Sequence, residues 1–309
     1  IADTLQGQIW SVIHAKSKRK YVVKTASKSL HDAGAAMVDG KSFAIDEDIL
    51  KEARILKYLQ SLPQCPASII AYQASFCSEH HYFLLMEDGG NSLFDFVQRA
   101  HYFLQMKSIE PANWMQVVRC VFKQMVQAVA FLHAHHVIHY DISIENFTLS
   151  EDPRISVLSA GTKNEKIRFL NVERDVQIKL IDFGLAERFV ASDKENEQED
   201  RFVSTKFAGK SNYQCPEIRQ REPFDPAAND IWCMGVCLFM MVTGCMPWQV
   251  AEELDSRFKM IYVHRRLKQV LNVWNRAHYV DAFLLDLLQR IFRPQSDRIS
   301  LPSVQSHPW

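Results

Sequence analysis

The chain has 309 residues, of which 47% are hydrophobic and 23% charged, and this composition predicts a globular protein with a large core and two lobes. Its 36 basic and 36 acidic side chains give a formal charge of zero, so no overall field attracts nucleic acid or an acidic membrane surface. Neither is therefore expected as a partner. Seven cysteines without regular metal-binding spacing predict reduced thiols and no disulfide framework.

The longest apolar run extends from Ile231 to Val242, about 12 residues, whereas a membrane-spanning helix needs about 20. We therefore expect a buried core helix there and no membrane segment. The chain begins at Ile1 without methionine and ends at Trp309, which suggests a fragment whose targeting signals are missing. Cytoplasmic localisation is the default expectation, and the sequence indicates no particular oligomeric state.

The first 88 residues are predicted to form a small, β-rich lobe. Runs rich in Ile, Val and Trp around a polar turn indicate a β-hairpin, a small polar segment with glycine breaks indicates a loop, and an apolar face of helical period indicates a helix. In chain order the predicted elements are strands at 8–14 and 20–26, a loop at 27–41, a helix at 45–60, and strands at 68–76 and 81–87. Asp88-Gly89-Gly90-Asn91 then breaks the pattern, so the lobe boundary is placed after residue 88.

Glu52 lies at the edge of the apolar face of the predicted helix at 45–60. A carboxylate that leans inward requires a cation, and Lys24 on the preceding strand is the expected partner. A solvated glutamate is the alternative when the helix is considered alone.

Residues 89–309 are predicted to be mainly helical, with amphipathic patterns that build a second, larger core. In chain order the predicted elements are helices at 93–104 and 114–133, a short β-run at 177–181, and helices at 230–244, 251–275 and 280–292. The charged segment 149–175 is predicted to be a surface insertion, and the acidic segment 191–200 a loop.

The stretch His139-Tyr140-Asp141-Ile142-Ser143-Ile144-Glu145-Asn146 and the triplet Asp182-Phe183-Gly184 carry the side chains most typical of catalysis. One carboxylate could accept a hydroxyl proton, and an amide and a second carboxylate could hold Mg²⁺. Together they indicate a phosphoryl-transfer site.

Further motifs occur in the order that such a site requires. Lys24 follows Tyr21-Val22-Val23, Glu52 follows on the next helix, and after the triplet come Cys215-Pro216-Glu217, Asp230-Ile231-Trp232-Cys233-Met234-Gly235 and Arg298. This order resembles that of the eukaryotic protein kinase family over the whole chain. The resemblance implies an α+β, bilobal protein-kinase fold: a small antiparallel β-sheet N-lobe with one helix at 1–88, and a larger, mostly α-helical C-lobe at 89–309.

The resemblance also implies a role for each matching residue, with ATP and Mg²⁺ as cofactors and a protein as substrate. Lys24, held by Glu52, would bind the α and β phosphates of ATP, and Asp141 would accept the proton of the substrate hydroxyl. Asn146 and Asp182 match the metal ligands. The remaining matches are Gly7 in the glycine-rich loop, Met86 as gatekeeper, Glu87 and Asp88 as the hinge, and Val12, Val22 and Thr148 around the adenine ring.

The glycine-rich loop departs from the family pattern. Leu5-Gln6-Gly7-Gln8-Ile9-Trp10 keeps the second of three glycines and carries Leu5 and Trp10 at the other two positions. Because glycines let the backbone approach phosphate closely, a stiffer or displaced loop and weaker ATP binding are expected. The alternative is that Trp10 caps the phosphates as an apolar lid.

Tyr140 occupies the position of the arginine that usually binds an activation-loop phosphate. Lys206 lies near the usual phosphorylation site. We therefore expect activity that does not depend on phosphorylation in this loop, with Lys206 supplying a fixed charge.

Relative to serine/threonine members of the family, the residue types at two positions are exchanged, namely those of Ser143 and Lys210. Those members have lysine two residues after the catalytic aspartate and threonine after the glycine of the substrate-binding loop. Our hypothesis is that Lys210 reaches Asp141 and the transferring phosphate from the other side, while Ser143 supplies the hydroxyl. A solvated surface lysine is the alternative.

The leading interpretation is an active serine/threonine protein kinase, because Glu145-Asn146 resembles the serine/threonine type of loop ending and every group that does chemistry is present. The alternative is a pseudokinase that acts as a nucleotide-binding scaffold, which the degraded glycine loop and Tyr140 favour. The acidic segment 192–200 suggests a basic substrate, with a solvated, disordered loop as the alternative.

Overall fold

Alternation of inward and outward side chains in the first part of the chain builds an antiparallel sheet. The computed structural model describes residues 2–38, 40–149, 176–189 and 203–309. The sheet has five strands in the order β1-β2-β3-β7-β6. The elements of this lobe are β1 (Ala2–Asp3), β2 (Gln8–Ile13), β3 (Lys20–Ser27), α1 (Lys28–Ala33), β4 (Ala35–Val38), β5 (Lys41–Ala44), α2 (Ile49–Ser61), β6 (Tyr72–Cys77) and β7 (His81–Glu87).

The prediction of a loop at 27–41 is wrong. The segment forms the short helix α1, which ends at Gly34 with a φ angle of 64°, and the first strand of the β4–β5 hairpin. The six residues of α1 make fewer than two turns and bury none of their side chains, so no helical period is visible in the sequence. This lobe therefore contains α1 in addition to the predicted helix.

The predicted helix at 45–60 begins later than expected, at Ile49. The carboxylate of Asp48 accepts the N–H groups of Leu50 and Lys51, and this cap fixes the start of α2. Its inward face includes Ile55, Leu56 and the buried side chain of Glu52. The strand predicted at 68–76 likewise begins later than expected, at the start of β6.

The second part of the chain is mainly helical, and one apolar helix lies at the centre of its core. The predicted boundary at residue 88 falls between β7 and the next strand. The elements are β8 (Asn91–Ser92), α3 (Leu93–Gln105), α4 (Pro111–Ala134), β9 (Val137–Ile138), β10 (Phe147–Leu149), β11 (Ile178–Leu180), β12 (Glu187–Arg188), α5 (Pro216–Arg219), α6 (Pro226–Thr243), α7 (Ser256–Phe258), α8 (Leu267–Val273), α9 (Ala282–Ile291) and α10 (Leu301–Gln305).

The central helix α6 contains the longest apolar run and is buried along its whole length, with the exception of Ala227, as a core helix requires. By length and composition, α4 and α6 are two helices that could span a membrane. In their most apolar windows, 94% of the residues of α6 and 50% of those of α4 are buried inside the protein. Core helices of folded domains show the same property, so this is weak support for a span.

The prediction of one helix at 251–275 is wrong. The segment instead forms α7, a π-helical turn at Lys259–Val263 and α8. Arg265 and Asn275 have φ angles of 55° and 54°, which break a right-handed helix. The predicted insertion at 149–175, apart from Leu149, and the predicted acidic loop at 191–200 lie outside the described residues.

Candidate active site

The buried carboxylate of Asp230 holds the predicted catalytic loop, residues 139–146, against the core. It accepts the backbone N–H groups of His139 at 3.1 Å and Tyr140 at 3.2 Å, and the ring of His133 lies 3.0 Å away. Tyr140 has a φ angle of 65°, an uncommon backbone conformation that these bonds sustain. The loop that follows is therefore attached directly to helix α6.

Asp141 is surrounded by hydrogen-bond donors. Its carboxylate accepts Asn146 Nδ2 at 2.7 Å, the Lys210 ammonium at 2.7 Å and the Lys210 backbone N–H at 3.1 Å. The ammonium also lies 2.9 Å from the Ser143 hydroxyl. The structure thus brings together the three residues of the exchange hypothesis, and Lys210 is paired with a carboxylate although its side chain is 37% exposed.

A close backbone approach brings Lys210 to this position. Gly209 has a φ angle of 81°, and a Cβ atom at this residue would lie 2.6 Å from the backbone oxygen of Tyr140. Only glycine permits both the left-handed conformation and this contact. Lys210 follows directly and reaches Asp141 with its backbone and with its side chain.

Lys24 is the centre of a second charged cluster, between the two lobes. Its ammonium lies 3.0 Å from Glu52, 2.8 Å from Asp182 and 3.0 Å from Glu47. Burial would lower the pKa of Lys24, but the three carboxylates outweigh it and hold that pKa well above its usual value. Burial would likewise raise the pKa of Asp182, but the Lys24 ammonium holds it below its usual value. Both groups are therefore charged at neutral pH.

The Asp182-Phe183-Gly184 triplet is oriented with its carboxylate toward Lys24 and its ring toward the core. The backbone N–H of Phe183 donates to Glu52 Oε1 at 3.0 Å, and its buried ring packs edge-on against His139, with centroids 4.9 Å apart. Asp182 has a φ angle of 64°. Glu52 therefore joins the lysine, the helix α2 and the triplet in one arrangement.

The side chains of Asn146 and Asp182 fit the requirements of Mg²⁺. Asn146 donates to Asp141 through Nδ2, so its amide oxygen remains as a ligand, and Asp182 supplies carboxylate oxygens. Within the described ranges no cluster of three or more His, Cys, Asp or Glu side chains could hold a metal ion. Mg²⁺ is usually bound by one or two carboxylates together with phosphate and water, and Asp182 would supply the carboxylate.

The predicted hinge lies where the two lobes meet. Met86 is buried and lies opposite Val22 in the sheet, while the side chain of Glu87 accepts the Ala71 N–H at 2.8 Å and Lys179 at 2.6 Å. In the described part of the protein, the backbone N–H of Asp88 donates no hydrogen bond. A donor of this kind is what an adenine ring requires.

The other predicted nucleotide contacts lie around the same cleft. A Cβ atom at Gly89 would lie 2.4 Å from the Thr148 hydroxyl, so Thr148 packs directly against the hinge. Val12 lies on β2 opposite Tyr21. Their contact with adenine stays a prediction.

The degraded glycine-rich loop retains the glycine that its packing requires. A Cβ atom at Gly7 would lie 2.0 Å from the Thr25 backbone oxygen, which no other residue could accommodate without movement. Trp10 lies on strand β2 opposite Val23 and is 40% exposed. Neither the displaced loop nor the apolar lid is decided by this placement.

Lys206 forms a fixed ion pair beside the catalytic loop. Its ammonium lies 2.6 Å from Glu187 and 3.0 Å from the backbone oxygen of Leu185, and it lies over the ring of Tyr140 at 4.7 Å. Lys206 and Glu187 therefore form an ion pair next to Tyr140, and its effect on activity stays a prediction.

Glu217 and Arg298, which belong to two of the motifs in the sequence, form a buried ion pair. Arg298 Nη2 lies 3.0 Å from both carboxylate oxygens of Glu217. The Arg298 guanidinium also covers the ring of Trp232 on α6 at 4.9 Å. This pair ties the end of the substrate-binding loop to the core of the second lobe.

A comparison with protein families adds an independent observation: the protein kinase domain model matches residues 5–309. The chain belongs to the protein kinase family. The kinase is 26% identical over 263 residues to the SNF-related serine/threonine-protein kinase of Rattus norvegicus, covering 84% of this chain and 28% of the relative. It is 30% identical over 195 residues to testis-specific serine/threonine-protein kinase 2 of Mus musculus, covering 62% of this chain and 45% of the relative.

A plant relative shows a similar distance. The kinase is 24% identical over 278 residues to serine/threonine-protein kinase SRK2F of Arabidopsis thaliana, covering 87% of this chain and 64% of the relative. The chain therefore spans less than two thirds of the length of each of these relatives. The fold predicted from the resemblance, an antiparallel sheet lobe and a helical lobe, is confirmed.

Glu47 and Glu187 are two charged residues of the site that the sequence analysis missed. Glu47 falls within the helix predicted at 45–60, but the observed helix begins at Ile49, so the predicted period does not orient it, whereas Glu187 lies on the two-residue strand β12. Glu187 is separated by many residues from Lys206, and a strand of two residues is too short to show a period, so the sequence gives no signal for this contact. No signal in the sequence indicates that Glu47 reaches Lys24.

Proposed function

We propose that this kinase is catalytically active and transfers the γ-phosphoryl group of ATP to a serine or threonine hydroxyl of a protein. The observation that carries the proposal is a set of charged and polar contacts around one cleft. Lys24 forms ion pairs with Glu52 and Asp182. Asp141 accepts hydrogen bonds from Asn146 and Lys210. Phosphoryl transfer requires alignment and neutralisation of oxyanion charge more than covalent chemistry, and these groups supply both.

The proposed reaction assigns one task to each of these side chains. Asp141 orients the substrate hydroxyl and accepts its proton as the oxygen attacks the γ-phosphorus, while the bond from that phosphorus to the bridging oxygen of ADP breaks. Lys24 neutralises charge on the α and β phosphates. Mg²⁺, held by Asn146 and Asp182, supplies further neutralisation when bound. Lys210 lies beside Asp141, where it stabilises charge on the transferring group.

The acceptor type is inferred from two observations. Glu145-Asn146 resembles the loop ending of serine/threonine kinases, and the relatives named above carry that activity in their names. A basic protein substrate is proposed because residues 192–200 include five Asp or Glu. A nucleotide-binding scaffold without activity is the second candidate, and the single glycine left in the glycine-rich loop favours it.

Two measurements on the wild-type protein separate these candidates. We expect ATP with Mg²⁺ to raise the melting temperature more than ATP alone. We also expect transfer of labelled γ-phosphate to a basic protein, with the label on serine or threonine after acid hydrolysis. Stabilisation by nucleotide without any transfer would support the scaffold. Label on tyrosine would contradict the assigned acceptor type.

We also propose that activity does not require phosphorylation near Lys206. The ion pair with Glu187 lies within the activation segment, between Asp182 and Glu217, and the contact of Lys206 with the Tyr140 ring connects this segment to the catalytic loop. Tyr140 carries no positive charge that could bind a phosphate. A fixed charge pair therefore takes the place of the phosphate-dependent contact.

Ser204→Ala and Thr205→Ala, alone or combined, are expected to keep kcat/KM within about threefold of wild type. Thr205 is exposed, and the Ser204 hydroxyl accepts the backbone N–H of Lys206 at 3.1 Å, so Ser204→Ala loses a hydrogen bond of one side chain. Lys206→Ala should lower kcat/KM by about three- to tenfold, because it removes the contacts with Glu187 and Leu185. Steady-state kinetics, with intact mass to show the phosphorylation state, provide the measurement. Complete inactivation by either hydroxyl substitution would contradict this proposal.

A further inference from the structure

Glu47 binds the same ammonium that the nucleotide needs. We propose that it is an internal substitute for nucleotide phosphate: it binds Lys24 while the cleft is empty, and binding of ATP or ADP displaces it. This inference rests on the proposed function, because it assumes that nucleotide phosphates come to Lys24. In this role Glu47 competes with the nucleotide for Lys24 and weakens nucleotide affinity.

The ammonium of Lys24 has three N–H donors, and three carboxylates take them. Glu52, Asp182 and Glu47 each place an oxygen within 3.0 Å of the nitrogen. Lys24 itself is 4% exposed, so water does not supply further partners. A phosphate oxygen can therefore receive a hydrogen bond from Lys24 only if one carboxylate leaves.

The three carboxylates differ in their freedom to leave. Glu52 is fully buried and also accepts the Phe183 N–H, so its departure would break the arrangement of the triplet. The Asp182 side chain is 32% exposed, but its contact with the ammonium is shorter, at 2.8 Å, and it also accepts the backbone N–H of Gly184. The Glu47 side chain is 39% exposed and can turn toward solvent at little cost. Glu47 is therefore the carboxylate that gives way.

Several contacts hold Glu47 at this place. Gln6 Nε2 of the glycine-rich loop donates to the backbone oxygen of Glu47 at 3.3 Å, and Gln6 is 2% exposed. The N–H of Asp48 donates to the Gly184 oxygen at 3.1 Å. A Cβ atom at Gly184 would lie 3.0 Å from Glu47 Cγ, so glycine makes room for this side chain. The contact therefore connects the glycine-rich loop, the start of α2 and the Asp182 triplet.

Electrostatics decides the direction of the effect. A phosphate and the Glu47 carboxylate are both anionic, and each would lie about 3 Å from one nitrogen, so they repel each other and compete for the same donor. Binding of nucleotide then includes the loss of the Glu47 ion pair. Removal of the Glu47 charge eliminates both the competition and the repulsion.

The test compares Glu47→Gln with wild type by isothermal titration calorimetry with ADP, in EDTA and in Mg²⁺. The substitution keeps the size of the side chain and removes its charge. We expect the Kd for ADP to fall by about three- to tenfold in both buffers, or ~0.7 to 1.4 kcal/mol, as for a partly exposed ion pair. Asp46→Asn changes the neighbouring exposed acid and should leave the Kd unchanged.

Two results of this titration would contradict the inference. An unchanged Kd would show that Glu47 does not compete, and weaker binding in Mg²⁺ alone would show that Glu47 is a metal ligand. Glu47→Ala, which also removes the side chain, should tighten binding like Glu47→Gln if the charge is responsible. Absence of ADP binding by both variants and by wild type would contradict the proposed function as well, whereas equal measurable binding contradicts this inference alone.

Discussion

Asp141→Asn is expected to lower the rate of phosphoryl transfer by about 10²- to 10⁴-fold and to leave nucleotide binding unchanged, because a general base is lost while the phosphate-binding groups remain. Asparagine cannot accept the hydroxyl proton. It also fits its neighbours poorly: one oxygen of Asp141 accepts Asn146 Nδ2 and the Lys210 ammonium, and the other accepts the Lys210 N–H. In either orientation the new amide group faces a donor.

The loss in rate should appear in kcat at saturating ATP, with no change in the Kd for ADP, since Lys24 and Asp182 are untouched. Single-turnover kinetics with quenched-flow sampling measures the chemical step directly. Asp297→Asn, a change of the same kind at an exposed carboxylate outside the site, serves as the matched control. A rate within tenfold of wild type would show that Asp141 is not the base.

The contacts that follow from periodicity or from motif order could be predicted from the sequence. Glu52 lies on a helix whose apolar spacing indicates the inward face, and Lys24 lies on a strand of clear β character, so their meeting follows from local rules. We expected Lys210 to lie near Ser143 because their residue types are exchanged relative to serine/threonine kinases. The structure places the Lys210 ammonium 2.7 Å from Asp141, and its role in turnover stays a prediction.

The position of Glu47 could not be predicted, because it depends on residues far away in the chain. Glu47 precedes the Asp48 cap and has no helical period to orient it. Its direction is set by Gln6 on one side and by the space at Gly184 on the other. Such a position follows from the assembled cleft and from no local pattern.

Short elements escaped prediction for a related reason. Helix α1 is too short to show a period, and its end is set by the left-handed conformation of Gly34. In 251–275, apolar residues recur at intervals that resemble one helix, while the Asp255 cap and the left-handed Arg265 divide it. Interruptions of this kind are set by tertiary structure, which overrides the helix propensity of the local sequence.

Lys210→Ala is expected to lower kcat by about 30- to 1000-fold, which corresponds to ~2 to 4 kcal/mol of lost transition-state stabilisation. The reason is its place in the site: the ammonium contacts both the carboxylate of Asp141 and the hydroxyl of Ser143, and we propose that the transferring phosphate lies next to it. Because the backbone N–H of Lys210 still binds Asp141 in the variant, the loop should keep its shape. The effect should therefore fall on kcat more than on the KM for ATP.

A double substitution tests the exchange itself. Ser143→Lys combined with Lys210→Thr restores the arrangement that serine/threonine kinases carry, with the ammonium approaching Asp141 from the catalytic loop. We expect it to recover most of the kcat that Lys210→Ala loses, since the charge returns to the same carboxylate. Lys268→Ala, at an exposed lysine on α8, is the control for loss of a lysine elsewhere. If Lys210→Ala retains turnover within about twofold of wild type, then the ion pair with Asp141 has no part in phosphoryl transfer, and Lys210 only holds the substrate loop in place.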